Sequence, residues 1–311
     1  MNILKYVILL LGLSICFIAC QESSDLKSLK NLKPKNKEEK KTSKKEVDDA
    51  PGSPKIFKLP ETSEEMNLPS YLREVSGLSF DASANGLIAH DDEVAILYNI
   101  DFDKKEIVSK EKIGGSGDFE GIEKVDDKIY LVKSNGEMIA YDITAKESQK
   151  FSTGLSSSNN VEGLAEYNGN LLLACKGKPE KESGQDFDKS RAVYSFNLQS
   201  MHTAKSPFML ISEDKLKNYA TDASSGEKDR LEKFAPSGIA VHPKTNAVYI
   251  LSNRGRMLLV TNAQAEIQKI YFLDYQIHKH PEGICFDAQN RMYIANEADG
   301  GTAVIYRYSN Y

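Results

Sequence analysis

The sequence predicts an all-β fold, a five-bladed β-propeller of four-stranded antiparallel blades, and three observations carry the prediction. A short motif, Ser or Glu followed by Gly and an aliphatic residue, recurs at Ser76-Gly77-Leu78, Glu120-Gly121-Ile122, Glu162-Gly163-Leu164, Ser237-Gly238-Ile239 and Glu282-Gly283-Ile284. Its glycines are spaced by 44, 42, 75 and 45 residues, and three of the four spacings match the period of propeller blades. Between the motifs lie short β-rich runs broken by Asn, Asp and Gly turns, with almost no helical periodicity.

Each motif opens a first strand. The second strands follow at Gly86–His90, Ile129–Lys133, Leu171–Cys175, Val248–Ser252 and Met292–Asn296. Third strands are read at Met138–Ile143, Ala192–Asn197, Met257–Thr261 and Ala303–Tyr308. More polar fourth strands are read at Ile107–Ile113, Gln149–Thr153, Pro207–Ile211 and Ile267–Phe272. The last motif leaves room for only three strands, so Ile56–Leu59 is expected to supply the outer strand of blade five. Such an N-terminal strand would close the ring and remove an exposed sheet edge. The 75-residue gap is assigned to two polar insertions in blade three, around Gly177–Ser190 and Ser212–Lys233.

The chain ahead of the propeller reads differently. Met1–Lys5 carries one positive charge and Tyr6–Ile18 is an almost wholly apolar run of 13 residues, the layout of a secretory signal peptide and too short for a permanent span. Phe17-Ile18-Ala19-Cys20 resembles the lipobox of bacterial lipoproteins, with Phe17 in place of the usual Leu. Residues 1–19 are therefore expected to be a lipoprotein signal peptide and Cys20 the acylated first residue, since several acyl chains give stable anchoring. Residues 20–55 are expected to be a tether; from residue 21 they hold ten Lys, seven Asp/Glu and few large apolar groups. Residues 56–311 form the predicted propeller. Gln21 stands where an aspartate is associated with inner-membrane retention, so the expected address is the bacterial cell envelope, at the outer membrane.

Charge narrows the partners. Forty Lys/Arg against 45 Asp/Glu give −5 overall. The leader and tether hold a surplus of four positive charges, so the propeller region carries −9. With no basic stripe, nucleic acid is excluded as an expected partner. Cys175 and Cys285 fall in blades that are not adjacent, so they are read as buried free thiols. The chain is expected to be a monomer.

In a propeller, the connection entering strand one and the connection leaving strand two open on the same face. That places Asp118, Glu120, Glu162 and Glu282 beside His90, Asp91, Asp92, Lys133, Lys176, Asn253, Arg254, Asn296 and Glu297. Converging carboxylates are unfavourable unless protons or a cation intervene. Hard oxygen ligands suit Ca²⁺, so Glu120, Glu162, Glu282, Asp118, Asn296 and Glu297 are the candidate metal ligands. His90, Asp91, Lys133, Lys176, Asn253 and Arg254 are the candidate contacts for a ligand. Two other arrangements explain the same residues. Each Glu accepts backbone N–H groups of the next blade as a latch, or Lys133, Lys176 and Arg254 neutralise the ring.

The Glu-Gly-Ile/Leu motifs, Pro281-Glu282-Gly283-Ile284 and Ile294-Ala295-Asn296-Glu297 resemble the SdiA-regulated family of bacterial β-propellers, over roughly Lys55–Tyr311. The resemblance implies an exported or membrane-attached propeller with calcium as a ligand, and a phytase-like activity by analogy. The sequence lacks a Gly-x-Ser-x-Gly elbow, and its five His residues are scattered. The favoured expectation is an envelope lipoprotein that binds a ligand or partner with calcium at the channel mouth. The alternative is a calcium-dependent phosphoesterase or lactonase.

Overall fold

Strands that alternate apolar and polar residues bury their apolar faces when sheets stack against one another, and this chain stacks five sheets around one axis. The computed structural model describes residues 56–62, 64–179, 187, 189–309 and 311. The leader, Cys20, the tether and most of the first blade-three insertion lie outside the described residues. Blade one consists of Val75–Asp81, Gly86–Asp91, Val94–Asp101 and Glu106–Ser116; blade two of Phe119–Val125, Lys128–Lys133, Glu137–Asp142 and Glu147–Ser152. Blade three consists of Val161–Tyr167, Asn170–Cys175 and Ser190–Asn197, with its outer edge divided between His202–Thr203 and Met209–Ser212. Blade four holds Gly238–Val241, Val248–Ser252, Met257–Thr261 and Ile267–Phe272, and blade five Pro281–Phe286, Met292–Asn296 and Val304–Tyr308.

The motif glycines explain how the first strands meet on the axis. A Cβ on Gly121 would sit 2.8 Å from the Cα of Gly163, and one on Gly163 would sit 3.0 Å from the backbone nitrogen of Ile239. One on Gly283 would lie 3.0 Å from the carbonyl carbon of Gly77, and one on Gly238 would run into the Glu282 carbonyl. A five-fold ring is narrow, and only a residue without a side chain lets neighbouring backbones come this close.

Five apolar clusters fill the five seams between blades. Ile88 and Leu97 pack on Ile122 and Leu131, and Val132 and Met138 on Leu164 and Leu173. Leu172 and Val193 meet Ile239 and Ile250, Leu251 and Leu258 meet Ile284 and Ile294, and Tyr293 and Ile305 close the ring on Leu78 and Tyr98. Each fully buried aliphatic side chain contributes roughly 1.5–3 kcal/mol. Tyr130, Tyr249 and Tyr293, at one equivalent position of three second strands, are all buried in seams. Cys175 and Cys285 are free and buried.

The ring closes with an N-terminal strand, but not the expected one. Glu64–Asn67 pairs antiparallel with Val304–Tyr308 and completes blade five. Ile56–Lys58 instead runs parallel to Ile267–Phe272 and adds a fifth strand to blade four. The closing segment Glu-Glu-Met-Asn has one apolar residue, Met66, which is the one it buries in the seam. A strand that hides a single side chain has no alternation to read.

The second insertion also departs from expectation, because it is helical. Helix α1 (Glu213–Tyr219) is capped by the Ser212 side chain, and helix α2 (Ser225–Glu232) opens with a capping box between Ser224 and Glu227. Leu216, Ala220, Ala223 and Leu231 of this segment fill the seam between blades three and four. Among the described residues no helix is long and apolar enough to cross a membrane.

Candidate functional site at the channel mouth

A one-residue bulge aims the key side chains. In blades one, two, three and five the pairing register steps over Ser76, Glu120, Glu162 and Glu282. A bulge re-aims the extra residue, and these four with their glycines line one narrow opening on the axis. Blade four pairs Gly238 with Leu251 without such a step.

The three glutamates share the opening and differ in their partners. Glu120 accepts from the Ser76 hydroxyl at 3.0 Å. Burial, then the charges of Glu162 and Asp118, push its carboxyl up to about 8. Glu162 accepts from Lys176 Nζ at 2.9 Å and from Asn160 Nδ2 at 2.5 Å, yet burial still leaves it above its ordinary range. Glu282 accepts from Asn253 Nδ2 at 2.6 Å and is raised well above the carboxylate range, by burial first and then by Glu297 and Glu162. Lys176 answers to the whole ring. Burial opposes its charge, while Glu162, Glu282 and Glu120 together hold it above its ordinary value.

A second group of acids lies where blades five and one meet. Burial, followed by the charges of Asp92 and Glu74, pushes Glu297 up to about 7. Asp92 is pushed up to about 6, by burial and then by Glu74 and Asp91. His280, Glu282 and Glu297 bring one ligand atom each within 4.8 Å of one another. Two buried acceptors here, Asp92 Oδ1 and Asn296 Oδ1, receive no hydrogen bond. Asn296 donates through Nδ2 to His278 Nδ1 at 3.2 Å, and His278 Nε2 lies 2.5 Å from the Tyr308 hydroxyl. This chain fixes the amide and leaves its carbonyl oxygen as the free end.

Backbone clamps hold the loops that carry these residues. Arg230 of α2 donates to the carbonyls of Gly255, Arg256 and Leu273, and its guanidinium lies 4.0 Å over the Phe272 ring. Arg256 donates to the carbonyls of His278 and Lys279 at 3.0 and 2.9 Å. The Ser237 hydroxyl donates to the Pro281 carbonyl at 2.7 Å and accepts from the Asn253 amide at 3.2 Å. Asn253, Arg254, His280 and Glu282 therefore sit on mutually braced segments, and the helical insertion is part of the brace.

Of the residues anticipated from sequence, Glu120, Glu162, Glu282, Asp118, Glu297, Asn253, Lys176 and Arg254 act on one another at this rim. Asp118 accepts from the Ser134 hydroxyl. Asp91 accepts from the Glu93 amide at 3.1 Å, and its charge reaches Asp92. Lys133 is committed to Glu137 at 2.5 Å and to the Phe119 ring at 5.3 Å. His90 is fully buried, its Nε2 against Gly77, and burial pulls it down to about 4. Among the described residues Glu120, Glu162 and Glu282 accept from side chains rather than from the expected backbone N–H groups. Links to backbone of the neighbouring blade run from other residues, Ser79 Oγ accepting from the Lys124 amide at 3.0 Å and Glu123 from the Glu166 amide at 3.3 Å. His278, Asn160, Glu74 and Arg230 were not anticipated. Only the acidic run Asp91-Asp92-Glu93 and the Ser-x-x-Glu cap ahead of Arg230 hinted at such neighbours.

The fold and this rim define a five-bladed β-propeller with an acidic channel mouth. The chain belongs to the SdiA-regulated family, whose profile matches residues 60–300. No curated protein matches it in sequence. Among solved structures, the glutaminyl cyclase of Myxococcus xanthus is similar with a TM-score of 0.52 and 11% identity, over 79% of this chain and 94% of that one. At that identity the likeness concerns the fold. A luciferin-regenerating enzyme (TM-score 0.47, 8% identity, 78% and 94% covered) and a nidogen/laminin complex (0.47, 13%, 74% and 74%) are more distant.

Proposed function

We propose that this protein is an envelope-anchored binding module that engages an anionic ligand or partner through a divalent cation, calcium in the first instance, at the channel mouth. The observation that carries the reading is the pairing of raised carboxylates with acceptors that have no donor. Glu282 and Glu297 lie together with His280, the charge of Asp92 acts on Glu297, Asn296 precedes Glu297 in the chain, and Asn296 Oδ1 and Asp92 Oδ1 receive no hydrogen bond. Buried acceptors without donors are costly, and a hard cation satisfies oxygen donors of this type. The residues fit such an ion. Glu282, Glu297 and Asn296 would hold it, with Asp92 alongside, while Lys176 already neutralises Glu162 and the Ser76 hydroxyl already serves Glu120. The cation site thus contracts from the full ring to its blade-five side. Bound there, the ion would present open coordination to an anion, with Lys176 and Arg254 adding positive charge from blades three and four.

Two experiments test this. In the first, purified full-length protein is offered phosphate monoesters, phytate and lactones, with calcium and with chelator. The binding-module reading expects calcium binding without turnover. Calcium-dependent turnover that is lost in Glu162→Gln would replace it with the hydrolase alternative. In the second, Cys20→Ala is expected to move the protein from the membrane fraction to the soluble fraction. Unchanged fractionation would remove the lipid anchor.

A further inference from the structure

A buried chain of hydrogen bonds reaches Asn296 from the third strand of blade five. Its members are Tyr308, the last residue of that strand, His278, in the loop that leads into blade five, and Asn296, the last residue of the second strand. Tyr308 and His278 are 1% exposed and Asn296 is 4% exposed. The imidazole is held from several sides. It stacks on Tyr308 with the ring centroids 5.9 Å apart and meets Tyr306 edge-on at 5.4 Å. The His278 carbonyl accepts from Arg256 Nη1 at 3.0 Å, so the backbone behind the ring is clamped as well. Each ring nitrogen therefore has a fixed neighbour.

Counting protons along the chain leaves one arrangement. Asn296 Nδ2 only donates, so His278 Nδ1, 3.2 Å away, presents a lone pair. A neutral ring with a bare Nδ1 carries its proton on Nε2, and Nε2 then donates to the Tyr308 hydroxyl oxygen at 2.5 Å. A doubly protonated ring would set one N–H against another at Asn296. A ring protonated on Nδ1 alone would seek the amide oxygen, and would favour Asn296 turned end for end. The amide nitrogen would then stand where Oδ1 stands now, free of any hydrogen bond. An N–H group in that place repels a cation.

We propose that Tyr308 is a positioning residue for the cation site: by accepting from His278 Nε2 it fixes the imidazole tautomer, and the tautomer keeps the Asn296 carbonyl oxygen free as a ligand. The inference rests on the cation reading and deepens it, because it names a residue that governs the ion without touching it. Groups that orient a metal ligand from behind change metal affinity by about ten- to a hundredfold when they are removed. Glu282 and Glu297 are oriented by other contacts, so the relay acts through Asn296 alone.

The first measurement reads the ring itself. In isotope-labelled full-length protein, proton–nitrogen correlation spectra show which imidazole nitrogen holds the proton, and the signals lost in His278→Asn belong to this residue. The proposal expects the Nε2–H tautomer in the wild-type chain and a shift toward Nδ1–H in Tyr308→Phe. An Nδ1–H tautomer in the wild-type chain would overturn it, whether or not any variant folds. The second measurement is calorimetric titration with calcium, with circular dichroism as the check on folding. Tyr308→Phe should weaken binding at least tenfold. In Asn296→Asp, whose carboxylate offers an oxygen whichever way it turns, adding Tyr308→Phe should change affinity less than twofold. An equal loss in both backgrounds would mean that Tyr308 acts through packing, and would overturn the proposal. Calcium binding unchanged in Tyr308→Phe would overturn the relay and leave the cation reading standing. Absence of calcium binding to the wild-type chain would remove both.

Discussion

Two kinds of residue open the five first strands, serine in blades one and four and glutamate in blades two, three and five, and they do different work. The serines tie one blade to the next: Ser76 donates to Glu120 at 3.0 Å and Ser237 to the Pro281 carbonyl at 2.7 Å. The glutamates bring charge to the axis, and among the described residues only Glu162 is met by a direct ion pair. The glycine that follows is common to both kinds and answers to geometry alone. One short motif therefore carries a fixed structural half and a variable chemical half. The comparison teaches that the acidic mouth is built by substitution at a single position of a structural repeat.

The sharpest way to break the comparison is through its shared half. Gly121→Val should destabilise the fold by about 3 kcal/mol or more, because its side chain has no space beside Gly163. Denaturant unfolding checks it, and a loss under 1 kcal/mol would mean that the first strands do not meet as described.

Next in size is the ion pair that separates Glu162 from its two counterparts. Lys176→Met should cost about 3 kcal/mol at neutral pH, because it leaves a buried carboxylate unpaired. The double variant Lys176→Met, Glu162→Gln should recover most of that loss. A double variant no better than the single one would show that Lys176 serves another partner.

The pH dependence should follow the raised carboxylates. In the unfolded chain Glu120 and Glu297 titrate near 4.5, and in the folded protein near 8 and near 7. The folded state therefore holds protons that the unfolded state has released, and stability falls as pH rises through that window. His90 and His278, each held near 4, act in the opposite sense, losing stability as pH falls below 6.5. Between pH 6.5 and 8 the carboxylates act without that opposition. Without a divalent cation the thermal midpoint should drop across this interval, and calcium should restore it at pH 8. A midpoint that rises from pH 6.5 to 8 without a cation would contradict the assignment.

The smallest effect belongs to the serine latch. Ser76→Ala should cost about 1 kcal/mol, the net contribution of one hydrogen bond to Glu120. Above pH 8, where Glu120 is ionised, Ser76→Ala combined with Glu120→Gln should cost less than Ser76→Ala alone, since the crowded charge is gone.

The repeat made the blades, their number and the shared rim legible, because a glycine forced by backbone contact recurs at every first strand. The closing strand was not legible. Ile56–Lys58 looks like a strand and is one, but its partner is chosen by which sheet edge lies free, which local pattern does not encode. Glu64–Asn67 buries only Met66 and presents charge elsewhere. Helices α1 and α2 lack strong amphipathic stripes and take their stability from Leu216 and Leu231 in a seam, although the Ser224–Glu227 capping box was readable. At the mouth, equivalent positions located the acids correctly. The sequence had no means of showing that Lys176 would settle on Glu162, or that His278 would turn the Asn296 amide, because both depend on loops meeting across blades.

Calorimetric titration of calcium into the full-length protein, Glu282→Gln and Glu120→Gln at pH 8 tests the central claim most directly. The account predicts saturable binding in the wild-type chain, at least a tenfold loss in Glu282→Gln, and less than a threefold change in Glu120→Gln. Binding that survives Glu282→Gln unchanged would place the cation elsewhere and contradict it.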